Sequence, residues 1–198
     1  MAKYGIIILA AGSSSRLGRP KQLLVFEGTT LIEHVVRQAC AVSEALTVVV
    51  SGAIHNEIQT ALATAKVSLI YNPDWVKGMS ASLQVGLKAL LNEAPGVKAC
   101  ILMVCDQPYV STTLLEEMIH SYENNAAEIV ACTYAETAGT PALFGACFFD
   151  DLLSLGGQAG AKKIIAENET NVFYLPFPNG RVDIDTAQDY VTFISRHP

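Results

Sequence analysis

Short apolar runs alternate along the chain with segments in which apolar residues recur at helical spacing. Several of the runs contain no polar residue, which is typical of strands covered on both faces. The pattern predicts strands at residues 4–9, 46–50, 67–71, 99–104 and 128–134. It predicts helices at residues 31–40, 55–63, 80–91 and 112–124. Ser111 and Thr112 have the residue types of a cap for the last of these helices.

This alternation of strands and helices indicates the class of fold. Successive βα units imply a mostly parallel sheet with helices on both faces, a three-layer α/β/α arrangement. After Tyr134 the alternation gives way to a Gly/Pro-rich stretch, a short helix, a strand at residues 172–176 and a last helix at 186–194. A chain of 198 residues without repeats or linkers fits one core, so we expect residues 1–198 to form a single domain.

Composition narrows the classes of protein that remain. Hydrophobic residues make up 51% of the chain and charged residues 16%, as expected of a large buried sheet and not of a disordered chain. The formal net charge of −6 makes nucleic acid a poor candidate partner. No apolar run reaches the roughly 18 residues that a membrane span needs, so we expect no membrane association. The N-terminus enters a strand pattern directly, which favours a cytoplasmic protein.

The five cysteines form no recognisable metal or redox motif. None belongs to a CxxC pair, their number is odd, and most lie in apolar runs. This distribution predicts reduced, buried thiols. Cys105 directly precedes Asp106, and a nucleophilic role for it is the alternative.

The loop after the first predicted strand has a composition suited to polyphosphate. Residues 6–21 read IIILAAGSSSRLGRPK, and no Asp or Glu precedes Glu27. Free backbone N–H groups and cations both hold phosphate oxygens. We expect Arg16 to fork onto such oxygens and Lys21 to place a point charge where charge builds up on a transferring phosphate. The alternative is a solvated basic loop, which is most attractive for Arg19.

The glycines of this loop exclude two commoner phosphate-binding loops. Gly12 and Gly18 lie six residues apart and Arg19 follows, which differs from the G-x-x-x-x-G-K-[ST] of a P-loop. The second glycine of a dinucleotide-binding G-x-G-x-x-G is also absent, so a Rossmann dehydrogenase is disfavoured. Gly12 permits backbone geometries that a Cβ would forbid.

Two acidic segments are candidate metal sites. Asp106 follows a buried strand and precedes Gln107-Pro108, a position suited to Mg²⁺, which needs only one or two protein carboxylates besides phosphate. A turn or helix cap is the alternative for a single aspartate after a strand. Residues 181–189 read RVDIDTAQD, and we expect only one of Asp183 and Asp185 to reach a metal, preferably Asp185. The competing role of Asp185 is the N-cap of the following helix, and Asp189 suits a first-turn helix charge.

These motifs and their order resemble the MobA-like nucleotidyltransferases. The family signature LAAG-x-S-x-R-x-G-x-x-K is matched at Leu9, Ala10, Ala11, Gly12, Ser14, Arg16, Gly18 and Lys21. The family also has a DQP or near variant at its metal site and a D-[IV]-D-T-x-x-D segment opening its last helix. The resemblance spans nearly the whole chain.

Residues 72–83 read NPDWVKGMSASL and resemble a family segment N-x-x-W-x-x-G-M-x-x-S-L. The resemblance implies that Gly78 and Met79 approach the base, and that Ser80 or Ser82 bonds to base or ribose edges. Ser80 alternatively suits a helix N-cap. Trp75 suits core or rim packing better than a stacking platform.

Two further segments resemble the part of the family's proteins that holds the acceptor, the molecule that receives the nucleotidyl group. Residues 139–144 read GTPALF and match a G-x-P-x-L-F element, whose alternative interpretation is a turn followed by an edge strand. Residues 157–162 read GQAGAK and resemble G-D-x-G-A-[KR], with Gln158 in place of the aspartate. Gln158 supplies no charge to a metal and cannot act as a base, which leaves acceptor identity and activity open.

The resemblance implies a Rossmann-like nucleotidyltransferase fold and transfer of a nucleotidyl group with Mg²⁺. LAAG in place of LAGG, and the GMSxSL segment, favour the branch that transfers CMP from CTP to molybdopterin. The implied catalytic residues are Arg16, Lys21 and Asp106, and the implied metal ligands are Asp106 and Asp185. The implied nucleotide contacts are Leu9, Ala10, Ala11, Gly12, Ser13, Ser14, Gly78, Met79, Ser80 and Ser82.

Several alternatives stay open within this interpretation. The nucleotide is CTP or, in the guanylyl branch, GTP, and the acceptor is molybdopterin or another phosphate such as a sugar phosphate. A non-catalytic module that binds nucleotide or molybdopterin for delivery is a third alternative, motivated by Gln158. A molybdoenzyme or its chaperone is the implied protein partner.

Overall fold

A seven-stranded sheet with helices on both faces forms the centre of the protein, as seen in a computed structural model that describes residues 2–156, 160–182, 184 and 186–195. The strands are β1 (Tyr4–Ala10), β2 (Val25–Phe26), β3 (Thr29–Thr30), β4 (Ala45–Ser51), β5 (Ser68–Tyr71), β6 (Ala99–Val104), β7 (Ile129–Tyr134), β8 (Thr137–Gly145) and β9 (Val172–Pro176). The helices are α1 (Leu31–Cys40), α2 (His55–Ala61), α3 (Met79–Glu93), α4 (Thr112–Asn124), α5 (Phe149–Ser154), α6 (Lys162–Glu167) and α7 (Ala187–Ser195).

The order of strands in the main sheet is β5-β4-β1-β6-β8-β7-β9. Strand β1 pairs in parallel with β4 and β6, β4 with β5, and β7 with β9. Only β8 runs antiparallel to its neighbours within the described sheet. The predicted three-layer α/β/α fold with a mostly parallel sheet is therefore confirmed.

Strand β8 excludes one of the alternative interpretations. Residues 139–144 lie inside it, between β6 and β7, and not in a turn followed by an edge strand. Positive φ angles at Ala135 (46°) and Glu136 (61°) let β7 turn directly into β8, so the two strands form a hairpin. Leu143 and Phe144 are fully buried, because this strand is covered on both faces.

Capping side chains account for the predicted bounds of two helices. Thr30 Oγ1 accepts a hydrogen bond from the Glu33 N–H at 3.3 Å, and the Glu33 carboxylate accepts from the Thr30 N–H at 2.8 Å. This capping box begins α1. Ser111 Oγ accepts from the Leu114 N–H at 3.2 Å and begins α4, which confirms the predicted cap there.

The side chains of β1 divide the core into two layers. Ile6 and Ile8 pack with α1, α2 and α4, whereas Ile7 and Leu9 pack with α3, α5 and α6. A third, smaller cluster joins the segment after β1 to α7; its buried members are Leu17, Leu24, Phe26, Leu31, Ile184, Tyr190 and Phe193. Within the described part of the chain, no helix is both long enough and apolar enough to cross a membrane.

Helix α3 lies unusually close to the sheet at Gly86. A Cβ added to Gly86 would lie 2.6 Å from Ile7 Cγ2 and 2.8 Å from Val50 Cγ2. Since these side chains belong to β1 and β4, the glycine lets α3 pack directly over the strands that lead to the carboxyl edge of the sheet.

We expect Gly86→Ala to lower the free energy of unfolding by about 1–3 kcal/mol, because overpacking outweighs the roughly 1 kcal/mol that Ala gains over Gly inside a helix. The measurement is equilibrium unfolding in urea. Gly96→Ala is the control, because a Cβ at that loop position meets no described heavy atom within 4 Å. An unchanged or increased stability of Gly86→Ala would contradict the close packing of α3.

Candidate functional site

A cleft of about 560 Å³ opens at the carboxyl edge of the sheet. The parallel register pairs Leu9 with Val104 and Ala10 with Ser51, so the segments that follow β1, β4 and β6 leave the sheet side by side. Ligands of open α/β sheets bind at this edge. The described lining residues are Leu9, Ala10, Ala11, Gly12, Ser13, Ser15, Lys21, Gln22, Trp75, Val76, Gly78, Met79, Ser82, Val104, Cys105 and Asp106.

The loop after β1 forms one wall of this cleft. Gly12 and Ser13 are exposed there. The left-handed residues of the loop are Ser14 (φ 55°) and Gly18 (φ 74°), so Gly12 does not use the left-handed conformation that a glycine permits. A Cβ at Gly12 would meet no described heavy atom within 4 Å. The missing side chain therefore leaves room in front of the backbone, which is what a close backbone–ligand contact requires.

Lys21 and Asp106 meet across the cleft and form an ion pair between Nζ and Oδ2. Their side chains are only 19% and 14% exposed. The other carboxylate oxygen, Asp106 Oδ1, is buried and has no hydrogen-bond partner among the described residues. A buried carboxylate oxygen without a donor is costly unless a ligand binds it.

The two arginines of the loop do not line the cleft with Lys21. Arg16 is exposed and lies outside the described lining. The Arg19 guanidinium lies 4.5 Å from the centroid of the Tyr190 ring, a cation–π contact that attaches the loop to α7. Arg19 is exposed, as the alternative of a solvated basic loop predicts, and it also contacts α7.

Gln22 is a site residue that the sequence did not reveal. Its side chain is 1% exposed. The Gln22 Nε2 group donates to the carbonyls of Ala10 at 2.9 Å and Gly12 at 2.8 Å, and Ser14 Oγ donates to Gln22 Oε1 at 3.3 Å. The only signal in the sequence is one amide directly after Lys21, at the start of an apolar stretch.

The segment after β5 forms the opposite wall. Gly78 has φ 108° and ψ −174°, a conformation that is almost restricted to glycine, and it is the N-cap of α3. The alternative role of Ser80 as this N-cap is therefore wrong. Ser80 is buried in the first turn and lies outside the described lining.

Ser82, on the same wall, offers a donor to a ligand. Its Oγ accepts from Asn72 Nδ2 at 3.0 Å, and its own hydroxyl hydrogen can still be donated to a ligand. Met79 is 48% exposed at the mouth of the cleft.

Trp75 both packs and lines the cleft. A Cβ on Gly52 would lie 2.7 Å from Trp75 Cβ and 2.6 Å from the carbonyl oxygen of Ala11. Gly52 therefore lets the tryptophan lie against the end of β4, beside the loop after β1. This contact agrees with the predicted packing role of Trp75 and leaves the ring at the rim of the cleft.

A second cavity of about 360 Å³ adjoins the first and shares Leu9, Met79 and Val104 with it. Its wall is mainly apolar, and Lys162 is the one charged residue in the described lining. Residues 139–140, at the start of the GTPALF segment, belong to this wall. Two ligands could therefore lie in contact with each other across the shared residues.

Gln107 ties this second cavity to the segment that precedes α7. Its Nε2 donates to the carbonyls of Thr140 at 2.9 Å and Gly180 at 3.0 Å. The side chain is 4% exposed. Gln107 thus fixes β8 and the segment that precedes α7 in position relative to the cleft.

The structure describes only some of the predicted acceptor and metal residues in the last third of the chain. Gln158, Asp183 and Asp185 lie outside the described residues. Thr186 caps α7, since its Oγ1 accepts from the Asp189 N–H at 3.2 Å while the Asp189 carboxylate accepts from the Thr186 N–H at 2.8 Å. The N-cap role considered for Asp185 therefore belongs to Thr186, and Asp189 is a first-turn charge as predicted.

The thiol of Cys105 does not supply a nucleophile at neutral pH. Burial, together with the neighbouring charge of Asp106, raises the pKa of Cys105 to about 12. The fraction of Cys105 present as the nucleophilic thiolate is therefore negligible near pH 7.

The other cysteines differ in burial. Cys100 and Cys132 are buried as predicted, whereas Cys40 and Cys147 are exposed, so the expectation of burial was wrong for those two.

The donor set at Asp106 fits a hard divalent cation that is held mostly by its substrate. Among the residues with described positions, no three His, Cys, Asp or Glu side chains converge in a metal-binding cluster. Mg²⁺ and similar ions keep water and phosphate ligands and need only one or two protein carboxylates. The buried Oδ1 of Asp106, which has no hydrogen-bond partner among the described residues, fits the requirement for one such carboxylate ligand.

Comparison with known proteins agrees with this geometry. The sequence model of a protein family, the MobA-like NTP transferase domain, matches residues 6–172 of this chain. The chain is 23% identical over 198 residues to the molybdenum cofactor cytidylyltransferase of Escherichia coli K12, covering 100% of this chain and 98% of that protein. It is 32% identical over 129 residues to a probable molybdenum cofactor guanylyltransferase of Bacillus cereus B4264, covering 62% of this chain and 60% of that protein.

A solved structure with a closely similar fold is Rv0371c from Mycobacterium tuberculosis H37Rv. It superposes with a TM-score of 0.85 at 29% identity and covers 98% of each chain. A complex of the same protein with manganese superposes with a TM-score of 0.78 at 28% identity, over 98% of this chain and 99% of that one.

We expect Ellman's reagent to modify two thiols in the native protein, Cys40 and Cys147, and all five after denaturation. Partial burial raises the pKa of both exposed thiols, so their reaction should accelerate as the pH rises above neutrality. Absorbance gives the number of modified thiols and peptide mass spectrometry identifies them. Rapid native modification of Cys105 at pH 7 would contradict its burial and raised pKa.

Proposed function

Because this chain belongs to the MobA-like NTP transferase family, we propose that it is a nucleotidyltransferase that moves CMP from CTP to the phosphate of molybdopterin. The observation that carries the proposal is the meeting of Lys21 and Asp106 in a cleft that is walled by the loop after β1. One side chain suits a phosphate and the other suits the metal ion that accompanies it.

In this reaction an ionised oxygen of the acceptor phosphate attacks the α-phosphorus of the nucleotide. A phosphorus–oxygen bond forms, the bond from the α-phosphorus to the bridging oxygen breaks, and pyrophosphate leaves with the electron pair. No general base is needed, because the attacking oxygen carries no proton. The protein therefore contributes mainly position and stabilisation of charge.

The residues of the cleft have distinct roles under this proposal. The backbone of residues 9–14 holds the base and phosphates, and Lys21 offsets charge at the α-phosphate. Arg16 reaches the outer phosphates from the mouth of the cleft. Asp106 and Asp185 would hold Mg²⁺, which would supply positive charge against the phosphate oxygens.

The ion pair between Lys21 and Asp106 implies an exchange of partners during binding. With nucleotide and metal bound, Lys21 would face phosphate and the Asp106 carboxylate would face the cation. Each charge thereby keeps a counter-ion, which limits the cost of keeping both groups largely out of water.

The second cavity supports the assignment of an acceptor beside the nucleotide. It shares Leu9, Met79 and Val104 with the first cleft, so an acceptor there lies next to the nucleotide. Its mainly apolar wall suits a flat heterocycle, and Lys162 suits an anionic group. Ser82 and the backbone near Gly78 would meet the base or ribose.

The preference for CTP rests on the LAAG sequence and on the full-length similarity to a cytidylyltransferase. The shorter but higher identity to a probable guanylyltransferase supports GTP as the second candidate. The manganese complex of a structural neighbour supports a divalent metal, and Mg²⁺ is our proposal for this chain.

We expect CTP with Mg²⁺ to raise the thermal stability more than GTP, ATP or UTP, and more than CTP without the metal. A ligand that binds only the native state at a hundredfold excess over its Kd adds about 2.7 kcal/mol. Differential scanning fluorimetry measures the shift in Tm. A larger shift with GTP would move the assignment to guanylyl transfer, and the absence of any shift would oppose the proposed function.

We expect Asp106→Asn to lower turnover by about a hundredfold or more while the fold is retained, because the variant loses the carboxylate charge that would hold the metal ion against the reacting phosphate. Release of pyrophosphate with CTP, Mg²⁺ and molybdopterin gives turnover, and circular dichroism checks the fold. Glu44→Gln is the matched control, since its carboxylate also pairs with a lysine, Lys3 at 2.8 Å, but on the surface. Near wild-type turnover of Asp106→Asn would contradict the assignment, and binding of CTP without turnover in the wild type would favour a delivery module.

A further inference from the structure

We propose that Gln22 is a positioning residue that acts through the phosphate-binding backbone of the loop after β1, because its amide hydrogens are already bonded to that loop. This inference rests on the proposed function, because it concerns how the same cleft holds a triphosphate. Gln22 lies in a short 3₁₀ turn (Lys21–Leu23) next to the cleft, and its side chain is 1% exposed. A polar side chain so deeply buried needs partners for all of its polar atoms.

The Gln22 amide finds those partners in the loop itself. Nε2 donates to the carbonyl oxygens of Ala10 at 2.9 Å and Gly12 at 2.8 Å, and Oε1 accepts from Ser14 Oγ at 3.3 Å. Two carbonyl oxygens can only accept, so the amide nitrogen must face them. Both N–H donors are thereby used, and the amide spans the turn from the end of β1 to Ser14.

These bonds determine which way the loop peptides face. In a planar trans peptide the carbonyl and the N–H of the next residue point in opposite directions. Because the carbonyls of Ala10 and Gly12 point at Gln22, the N–H groups of Ala11 and Ser13 point away from it. Gly12 and Ser13 are exposed and line the cleft, so under this proposal Gln22 holds the Gly12 carbonyl on its own side and leaves the Ser13 N–H on the exposed side, where an anion can bind it.

The same network reaches the backbone of Lys21. Ser14 adopts φ 55°, and its Oγ accepts from the Lys21 N–H at 3.0 Å while donating to Gln22. The amide therefore fixes the loop and the start of the lysine side chain relative to each other. If Gln22 loses its amide, the inward carbonyls of Ala10 and Gly12 lose their donors and the loop can turn its peptides over.

Gln84 provides a matched control for the amide bridge that Gln22 makes. Gln84 Nε2 also bridges two carbonyls, those of Leu153 at 2.9 Å and Leu155 at 2.6 Å. Gln84 lies on α3 and joins that helix to the end of α5, and it lines neither cavity in the described part of the chain. Loss of its amide removes comparable bonds without changing the phosphate-binding loop.

The experiment compares Gln22→Met and Gln84→Met with the wild type. The probes are inorganic tripolyphosphate and CTP, each with Mg²⁺, and calorimetry gives the Kd. We expect Gln22→Met to bind tripolyphosphate at least about tenfold more weakly, which is about 1.4 kcal/mol. Gln84→Met should bind it as the wild type does. Tm values show that both variants are folded, and the KM for CTP in Gln22→Met should rise together with the Kd.

Each other outcome has a defined meaning. Wild-type affinity in Gln22→Met, or equal weakening in both variants, would overturn the positioning role. Failure of the wild type to bind either probe would overturn the proposed function, and this inference with it. If Gln22→Met does not fold, exchange of the Gln22 side-chain amide in the wild type decides by NMR. Its protons should stay protected before and after tripolyphosphate binds, and rapid exchange in either state would overturn the inference.

Discussion

Parallel pairing on both sides of β1 is the constraint on which the rest of the structure depends. Because β4 and β6 run in the same direction as β1, the three strands deliver their following segments to one edge of the sheet. Lys21 then meets Asp106 although 85 residues separate them in the sequence. Gly86 allows α3 to cover these strands closely, and α3 itself begins at the opposite wall of the cleft. Sheet register, helix packing and site geometry are thus consequences of the same pairing.

Side-chain amides provide the second level of organisation. Gln22, Gln84 and Gln107 each bridge two backbone carbonyls. Gln22 and Gln107 are buried, and Gln84 is half-buried. A primary amide is well suited to this task, since it offers two donors in one plane and carries no charge that burial would penalise. Gln22 lines the main cleft, and Gln107 bonds to the wall of the second cavity at Thr140. Ordinary apolar packing holds the layers together, whereas each of these amides ties its own segment to two further points of the backbone.

The sequence predicted the parts of this protein that local patterns determine. Helices α1 and α4 begin and end as predicted, because capping side chains mark their starts. Strand β8 was missed because its Gly and Pro residues resemble a turn, and only pairing with β6 and β7 makes it a strand. The candidate residues at the ends of β1 and β6 do converge. The conformation of Gly12, the cap of α3 and the role of Gln22 could not be predicted, because each depends on contacts between distant segments.

The third cluster has a consequence for the order in which the protein assembles. Its members come from both ends of the described chain, and Tyr190 donates to the carbonyl of Val25 at 3.3 Å across 165 residues of sequence. During synthesis, strand β1 and the loop after it leave the ribosome long before α7 exists. Contacts of such high sequence separation form late. The sheet can therefore assemble while the loop after β1 still lacks the packing that Ile184, Tyr190 and Phe193 supply.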